Sequence, residues 1–419
     1  MLEERHRRLL WLLAVACFTE GYDFALLTVA LPQVRDTFGL SHVEADLWVA
    51  LLYLGAFPAL IWGRRADRHG RRGVLLTALV GFTLASAATA ASPAIGFFVA
   101  CQFVARCFIA TQVAVAWTMA AEDLPAERRG LGFGVLTLSS ALGTGSCSIV
   151  QAALFAPLDI SWRWLYVGAL PFLAVVAFLR PRLPESRRFL ALDRSASPPE
   201  PVRLLLRPPV RNTLLLVCGV VVLINLTTEA TIFSIDFMQT RRGLSATTAN
   251  LLLVAAGAVT LPVLVMSGRL SDRIGRRRVC VGGLVVQSAG LLLFFIVARG
   301  ALALGVCLAV VYIGLFAAWT TGSAFAVELF PTSLRAAASS AAATAKLLGQ
   351  SASFAISAAV LAWSSDPDLT ITVLVAGPVS GAVLLALFIP ETSRRELADV
   401  VDPTSTAPPA LATGSKPGR

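Results

Sequence analysis

The chain predicts an all-α membrane protein of twelve transmembrane helices, arranged as two pseudo-symmetric six-helix bundles. Three observations carry this. Of 419 residues, 56% are hydrophobic and only 14% charged, with a mean hydropathy of +0.75. Soluble domains carry roughly a quarter charged residues, so lipid is the expected solvent. Apolar runs long enough to cross a hydrocarbon layer about 30 Å thick recur along the whole chain. Finally, the sequence repeats itself at about half its length.

The runs fall at 9–31, 46–64, 74–92, 95–121, 130–154, 161–182, 212–236, 246–268, 279–298, 301–328, 334–362 and 369–389. Most reach the roughly 20 residues a spanning helix needs, whereas barrel strands would alternate over about ten. The opening MLEERHRRLL could imitate a secretory leader. Its apolar run continues past a leader's core and no A-x-A site closes it, so it reads as span 1. Basic residues set the orientation. Arg35, Arg163, Arg241, Arg242 and Arg299 fall on one side, Arg106 and Lys346 within spans, and the rest of the 35 on the other. The positive-inside rule makes that richer side cytoplasmic, with both termini there and the cytoplasmic membrane as the expected location. The expected organisation is an N-terminal bundle over 1–182, a cytoplasmic loop over 183–211, a C-terminal bundle over 212–389 and a tail over 390–419. The tail's Pro, Ser, Thr, Ala and Gly content predicts disorder.

The repeat has three parts. GRRADRHGRR at Gly63 returns as GRLSDRIGRRR at Gly268, an offset of 205 residues. EDLPAERRG at Glu122 returns as ELFPTSLRA at Glu328, and PESRR at Pro184 as PETSRR at Pro390, both offset by 206. Parallel repeats of this kind place a site between the halves, near the bilayer midplane.

The doubled G-x-x-x-D-R-x-G-R-R loop, after spans 2 and 8, resembles the major facilitator superfamily, and the resemblance runs from span 1 to span 12. GYD in span 1, E-x-x-P-x-x-x-R-G after span 4, PESRR and PETSRR lean towards its metabolite–proton symporter and sugar porter branches. The resemblance implies the major facilitator fold and a cytoplasmic gate. Gate residues would be Gly63, Asp67, Arg68, Gly70 and Arg71, then Gly268, Asp272, Arg273, Gly275 and Arg276, partnered by Glu122, Arg129, Glu328 and Arg335. Alternatively these loops only set topology.

Ionisable groups inside lipid are costly and mark function. Span 1 carries Glu20 and Asp23, one turn apart and so on one face. Arg106 lies in span 4, Glu229 in span 7 and Lys346 in span 11. Along their helices, Asp23 and Arg106 differ in depth by only about 5 Å. A carboxylate in a half-dry cavity beside an arginine can take and release a proton as the pair makes and breaks. The resemblance implies the same use of a span 1 Asp and a span 4 Arg. Asp23, Glu20 and Arg106 are therefore the proton-coupling candidates, a static ion pair being the rival reading. Arg106, Lys346, Glu229, Asn225, Gln112 and Trp319 are the substrate-binding candidates, with Lys346 either an anion contact or a counter-ion of Glu229 or Asp23. Some features depart from those branches. Ala110 and Gln112 stand where glycines usually follow the arginine, a sugar porter's span 7 glutamine pair is absent, and GTGSCS in span 5 lacks the proline of drug antiporters.

The remaining motifs are bland. Gly143 and Gly145 suit close helix packing. Trp11, Trp48, Trp62, Trp162 and Trp363, near span ends, read as interface anchors. Seven cysteines in apolar segments show no metal or disulfide spacing. No nucleotide loop, zinc cluster or nucleophile elbow is present, which argues against an enzyme. The functional expectation is proton-coupled uptake of a small organic anion by alternating access. A sugar or polyol porter, a multidrug exporter and a transport-silent sensor are its rivals. Expected partners are the solute, protons and lipid, without nucleic acid or an obligate protein partner, and no cofactor beyond the proton gradient.

Overall fold

The computed structural model describes residues 4–55, 57–58, 62, 65–66, 70–124, 129–185, 207–208, 210–330 and 335–391. Among them, eleven helices are long and apolar enough to cross a membrane. In chain order these are α1 (Glu4–Phe38), α3 (Arg71–Ala90), α4 (Ile95–Asp123), α5 (Arg129–Val150), α6 (Arg163–Arg182), α7 (Val210–Thr240), α8 (Ala246–Ile274), α9 (Arg276–Val297), α10 (Gly300–Glu328), α11 (Arg335–Ser364) and α12 (Pro367–Phe388). The beginning of the predicted span 46–64 is α2 (His42–Leu54); most of its remainder lies outside the described residues. The protein is thus an all-α, multi-pass membrane protein.

Successive helices run in opposite directions. The face holding the start of α1 is called here the near face, and the other the far face. Turns at the far face are short and chemically explicit. Gly39 and Gly243 adopt φ of +62° and +67°. Ser41 then caps α2 in a reciprocal box with Glu44, and the Ser245 hydroxyl accepts from the Thr248 N–H to start α8. At the near face the two repeats are built alike. Gly70 and Gly275, at φ of +102° and +107°, turn the chain into α3 and α9. The Glu185 carboxylate accepts from the N–H groups of Arg71 (2.8 Å) and Arg72 (3.2 Å). Glu391 accepts likewise from Arg276 (2.8 Å) and Arg277 (3.2 Å). A carboxylate satisfying the orphan donors of a helix N-terminus also meets the positive end of its dipole.

Small residues bring helices to backbone contact. A Cβ on Gly21 would lie 1.8 Å from the Ser140 carbonyl, and one on Gly143 would lie 2.1 Å from that of Phe18. This closes α1 onto α5. Gly145 faces open space instead. Trp162 is not an interface anchor. It is 1% exposed, donates from Nε1 to Thr37 at 2.9 Å and sits among Phe38, Phe98 and Tyr166, because α6 buries this stretch against α1 and α4. Trp11 and Trp363, at 66% and 81% exposed, do face outwards.

The apolar core reveals how the bundles meet. At the far end one cluster joins both halves, from Leu27, Leu31 and Tyr166 to Phe233, Met238 and Phe354. The two near-end clusters each belong to one half, around Leu13, Leu75 and Leu179 or around Val217, Leu284 and Leu385. Contacts between halves follow the same rule. Tyr53 of α2 stacks on Phe354 of α11 at 5.4 Å, and Ser351 donates to the Ala50 carbonyl at 3.0 Å. The bundles are sealed together at the far face.

Candidate functional site

The polar centre is assembled from the first bundle. Glu20 and Asp23 flank Gly21, so the close approach of α1 to α5 decides what they meet. Ser140 of α5 donates to Glu20 Oε2 at 2.6 Å, and Ser86 of α3 donates to Asp23 Oδ1 at 3.1 Å. Asp23 is 1% exposed and its Oδ2 has no hydrogen-bond partner. From α4, Arg106 lays its guanidinium over the Tyr53 ring, with the carbon 5.3 Å from the centroid; its Nε and Nη2 are also unpartnered. The hydroxyls of Tyr53 and Tyr166 share that condition. Asp23 and Arg106 feel each other's charge, as Tyr166 feels both. No direct ion pair joins Asp23 and Arg106. Buried polar atoms are rarely left unsatisfied, and several converging in one place mark where a ligand, proton or water belongs.

The second bundle contributes Lys346. Its Nζ stands 3.7 Å from the centroid of the Trp319 ring, a cation–π seat. Its charge couples to Glu20 across the interface between bundles. Glu20 in turn couples to Asp23 and Arg106. One half-buried carboxylate therefore links the buried pair of bundle one to the cation of bundle two. The sequence offers Glu229 or Asp23 as counter-ions of Lys346; in the structure its acidic neighbour is Glu20.

Three other predicted residues sit elsewhere. Gln112 is 1% exposed and its amide donates to Ala16 O and to Thr19 Oγ1 at 3.1 Å, which brackets α4 to α1. Asn225 opens a 3₁₀ break, Asn225–Thr227, in α7 and donates to the Val221 carbonyl of its own helix at 2.8 Å. Glu229 follows that break, and its N–H donates to Ser353 Oγ at 3.0 Å. Its carboxyl faces Asp46, Ser357 and Asp236 rather than Lys346. Its neighbours thus belong to the far-face group, unlike those of its repeat counterpart Asp23.

Of the gate candidates, Gly63, Asp67 and Arg68 lie outside the described residues, as do the side chains of Glu122, Arg129, Asp272, Glu328 and Arg335. Gly70, Arg71, Gly275 and Arg276 form the carboxylate-capped helix starts described above. Gly268 lies in α8, and Arg273, in its last turn, is exposed. Glu185 and Glu391, which cap the N-termini of α3 and α9, were not among the gate candidates. Their signal was present in the 206-residue repeat of Pro-Glu. Also missed were Arg35, Asp46 and Asp236 at the far end, which sit at span edges and read as ordinary surface charge. A small apolar crevice beside Leu27, Val34, Trp48 and Phe98 carries no polar lining and no part of the site.

Comparisons place this geometry among known proteins. A family model described as Major Facilitator Superfamily matches residues 13–229 and 215–413. The niacin transporter of Acinetobacter baylyi is 27% identical over 187 residues, 44% of this chain and 42% of that protein. The probable 4-methylmuconolactone transporter of Cupriavidus pinatubonensis is 25% identical over 342 residues, 76% of each. The chain aligns with under half the length of the first curated relatives it matches. A crystal structure of a D-xylose–proton symporter superposes with a TM-score of 0.76 at 19% identity, covering 92% of this chain and 98% of that one.

Proposed function

Since the chain belongs to the Major Facilitator Superfamily, we propose that it is a secondary active transporter coupling proton movement to uptake of a small organic anion. The observation that carries this is the charge chain Asp23–Arg106–Glu20–Lys346, which runs from one bundle to the other. It supports a mechanism in two parts. With Glu20 and Asp23 ionised, their charges compensate Arg106 and Lys346 through space. A proton taken by either carboxyl removes part of that compensation and leaves cationic charge for a carboxylate cargo, so proton and anion bind together. Burial sharpens the coupling, because unpaired charge is costly in a low dielectric. The aromatic faces of Trp319 and Tyr53 beside the two cations suit a flat acid. Niacin, the cargo in one relative's name, is of that class.

The basic near face is assigned to the cytosol and the membrane to the cytoplasmic one. The sealed face is then external, and rocking of the bundles alternates access. The proton gradient drives the cycle without a cofactor or covalent chemistry. The test is Asp23→Asn in vesicles. Accumulation driven by a proton gradient should be lost while exchange of labelled solute across the membrane survives. Equal loss of both would remove Asp23 from coupling. A thermal-shift panel of aromatic and aliphatic acids, sugars and cationic dyes identifies the cargo class; stabilisation by sugars alone would overturn the anion assignment.

A further inference from the structure

At the far face a second group of acids lies apart from the centre, buried between the bundles. Asp46 of α2 is 1% exposed, Asp236 of α7 is 1% and Glu229 of α7 is 7%. Asp236 has a partner in Arg35 of α1, whose Nη1 meets its Oδ2 at 2.5 Å, with His42 Nδ1 at 3.8 Å from the same oxygen. Asp46 and Glu229 have none of this. The Ser357 hydroxyl of α11 donates to Asp46 Oδ2 at 2.6 Å and lies beside the Glu229 carboxyl as well. Asp46 Oδ1 and Glu229 Oε2 are buried without hydrogen-bond partners.

The proton count decides what this arrangement holds. A serine hydroxyl has one hydrogen and two acceptor lone pairs. With that hydrogen donated to Asp46, Ser357 has only lone pairs left for Glu229, so a bridge between the two carboxyls takes a proton on Glu229. Charge leads to the same conclusion. Around the pair stand Arg35 and Asp36 from α1, His42 from α2, Asp236 from α7 and Arg241 just after it; among the described residues, α11 adds the hydroxyls of Ser353 and Ser357 and no charge. Arg35 is engaged by Asp236. Two ionised carboxylates side by side without a cation of their own cannot both persist in a dry seam.

We propose that Asp46 and Glu229 form a shared-proton carboxyl pair, bridged by Ser357, that latches the far face closed and releases its proton when that face opens. This rests on the alternating-access reading above, and it adds a proton site separate from Asp23. Closure consumes a proton, so acid favours the sealed state. His42 is not the sensor. Ahead of the span, burial and the charges of Arg35 and Arg241 hold it down at about 4, so it stays neutral at physiological pH.

Hydrogen exchange of the purified chain in nanodiscs, corrected for intrinsic exchange, tests this without any cargo. Amides of the α1–α2 and α7–α8 turns should lose protection by about tenfold per pH unit above the pair's titration point, one proton being released on opening. Glu229→Gln and Asp46→Asn keep a hydrogen in the bridge and should each flatten that dependence at high protection. Asp23→Asn and His42→Gln should leave it unchanged. A wild-type slope surviving in both Glu229→Gln and Asp46→Asn overturns the latch, as does a slope abolished by Asp23→Asn. The transport reading is judged separately, by the Asp23→Asn vesicle assay.

Discussion

Glu20 is the residue on which the centre turns, because it couples to Arg106 of one bundle and Lys346 of the other. Its neighbour Lys346 has a second stabilising contact, the Trp319 face, so the ammonium is held in place whether or not Glu20 is ionised. Removing the ammonium should therefore damage cargo binding more than folding. A hydrogen bond to a charged group contributes about 1.5–3 kcal/mol, so Lys346→Gln should raise KM for an anionic cargo by roughly 10- to 100-fold at normal membrane abundance. Trp319→Leu should raise it less, since an exposed cation–π contact contributes about 0.5–1 kcal/mol. An unchanged KM in Lys346→Gln, measured by uptake kinetics, would take Lys346 out of the site. His42 makes a complementary statement about stability. Its pKa is depressed in the folded chain, so between about pH 6.5 and 4 the unfolded state binds more protons and stability falls with acid.

Helices show where a sequence can be read and where it cannot. The existence and order of the spans follow from run length, a local property. Packing does not. Gly143 and Gly145 look equivalent in GTGSCS, two residues apart in one helix, yet only Gly143 abuts the α1 backbone. Gly143→Ala should accordingly lower stability by about 1–3 kcal/mol, the usual cost of overpacking. Gly145→Ala should be neutral or slightly stabilising, because alanine is the better helix former. Thermal unfolding in detergent distinguishes the two, and equal effects would mean that α1 and α5 are not in backbone contact. The same limit explains Trp162 and Gln112. Both types sit comfortably at an interface or in a cavity, and only the neighbouring helices decide that they are buried as brackets. It also explains Glu229, whose repeat counterpart is Asp23. A 3₁₀ break at Asn225–Thr227 precedes it and its carboxyl meets the far-face acids, neither of which a 206-residue alignment has means to register.

For the molecule as a whole, the decisive feature is that its halves are joined at one end. The charged part of that joint was illegible in the sequence for a simple reason: Arg35 and Asp236 stand 201 residues apart, each at the edge of a different apolar run. Brought together, they form a contact that is 12% and 2% exposed, and truncating one partner of a buried ion pair costs about 3–5 kcal/mol by leaving the other charge unpaired. A cost of that size exceeds the few kcal/mol that separate two conformers in equilibrium. Arg35→Ala should therefore not unfold the chain but tip it towards a state open at the far face, where water can reach Asp236. Ala50, 8% exposed and lying under the seam with its carbonyl held by Ser351, is a suitable reporter. A cysteine there should react with a membrane-impermeant maleimide at least about tenfold faster in the Arg35→Ala background, by the arithmetic of 1.4 kcal/mol per decade. The Asp236→Asn background should give a smaller change, because a neutral amide in place of the carboxylate leaves only the guanidinium uncompensated, and Arg35, at the outer end of α1, is the partner nearer to solvent. Labelling that stays slow in Arg35→Ala would mean that the apolar cluster alone seals the bundles, with the ion pair a passenger.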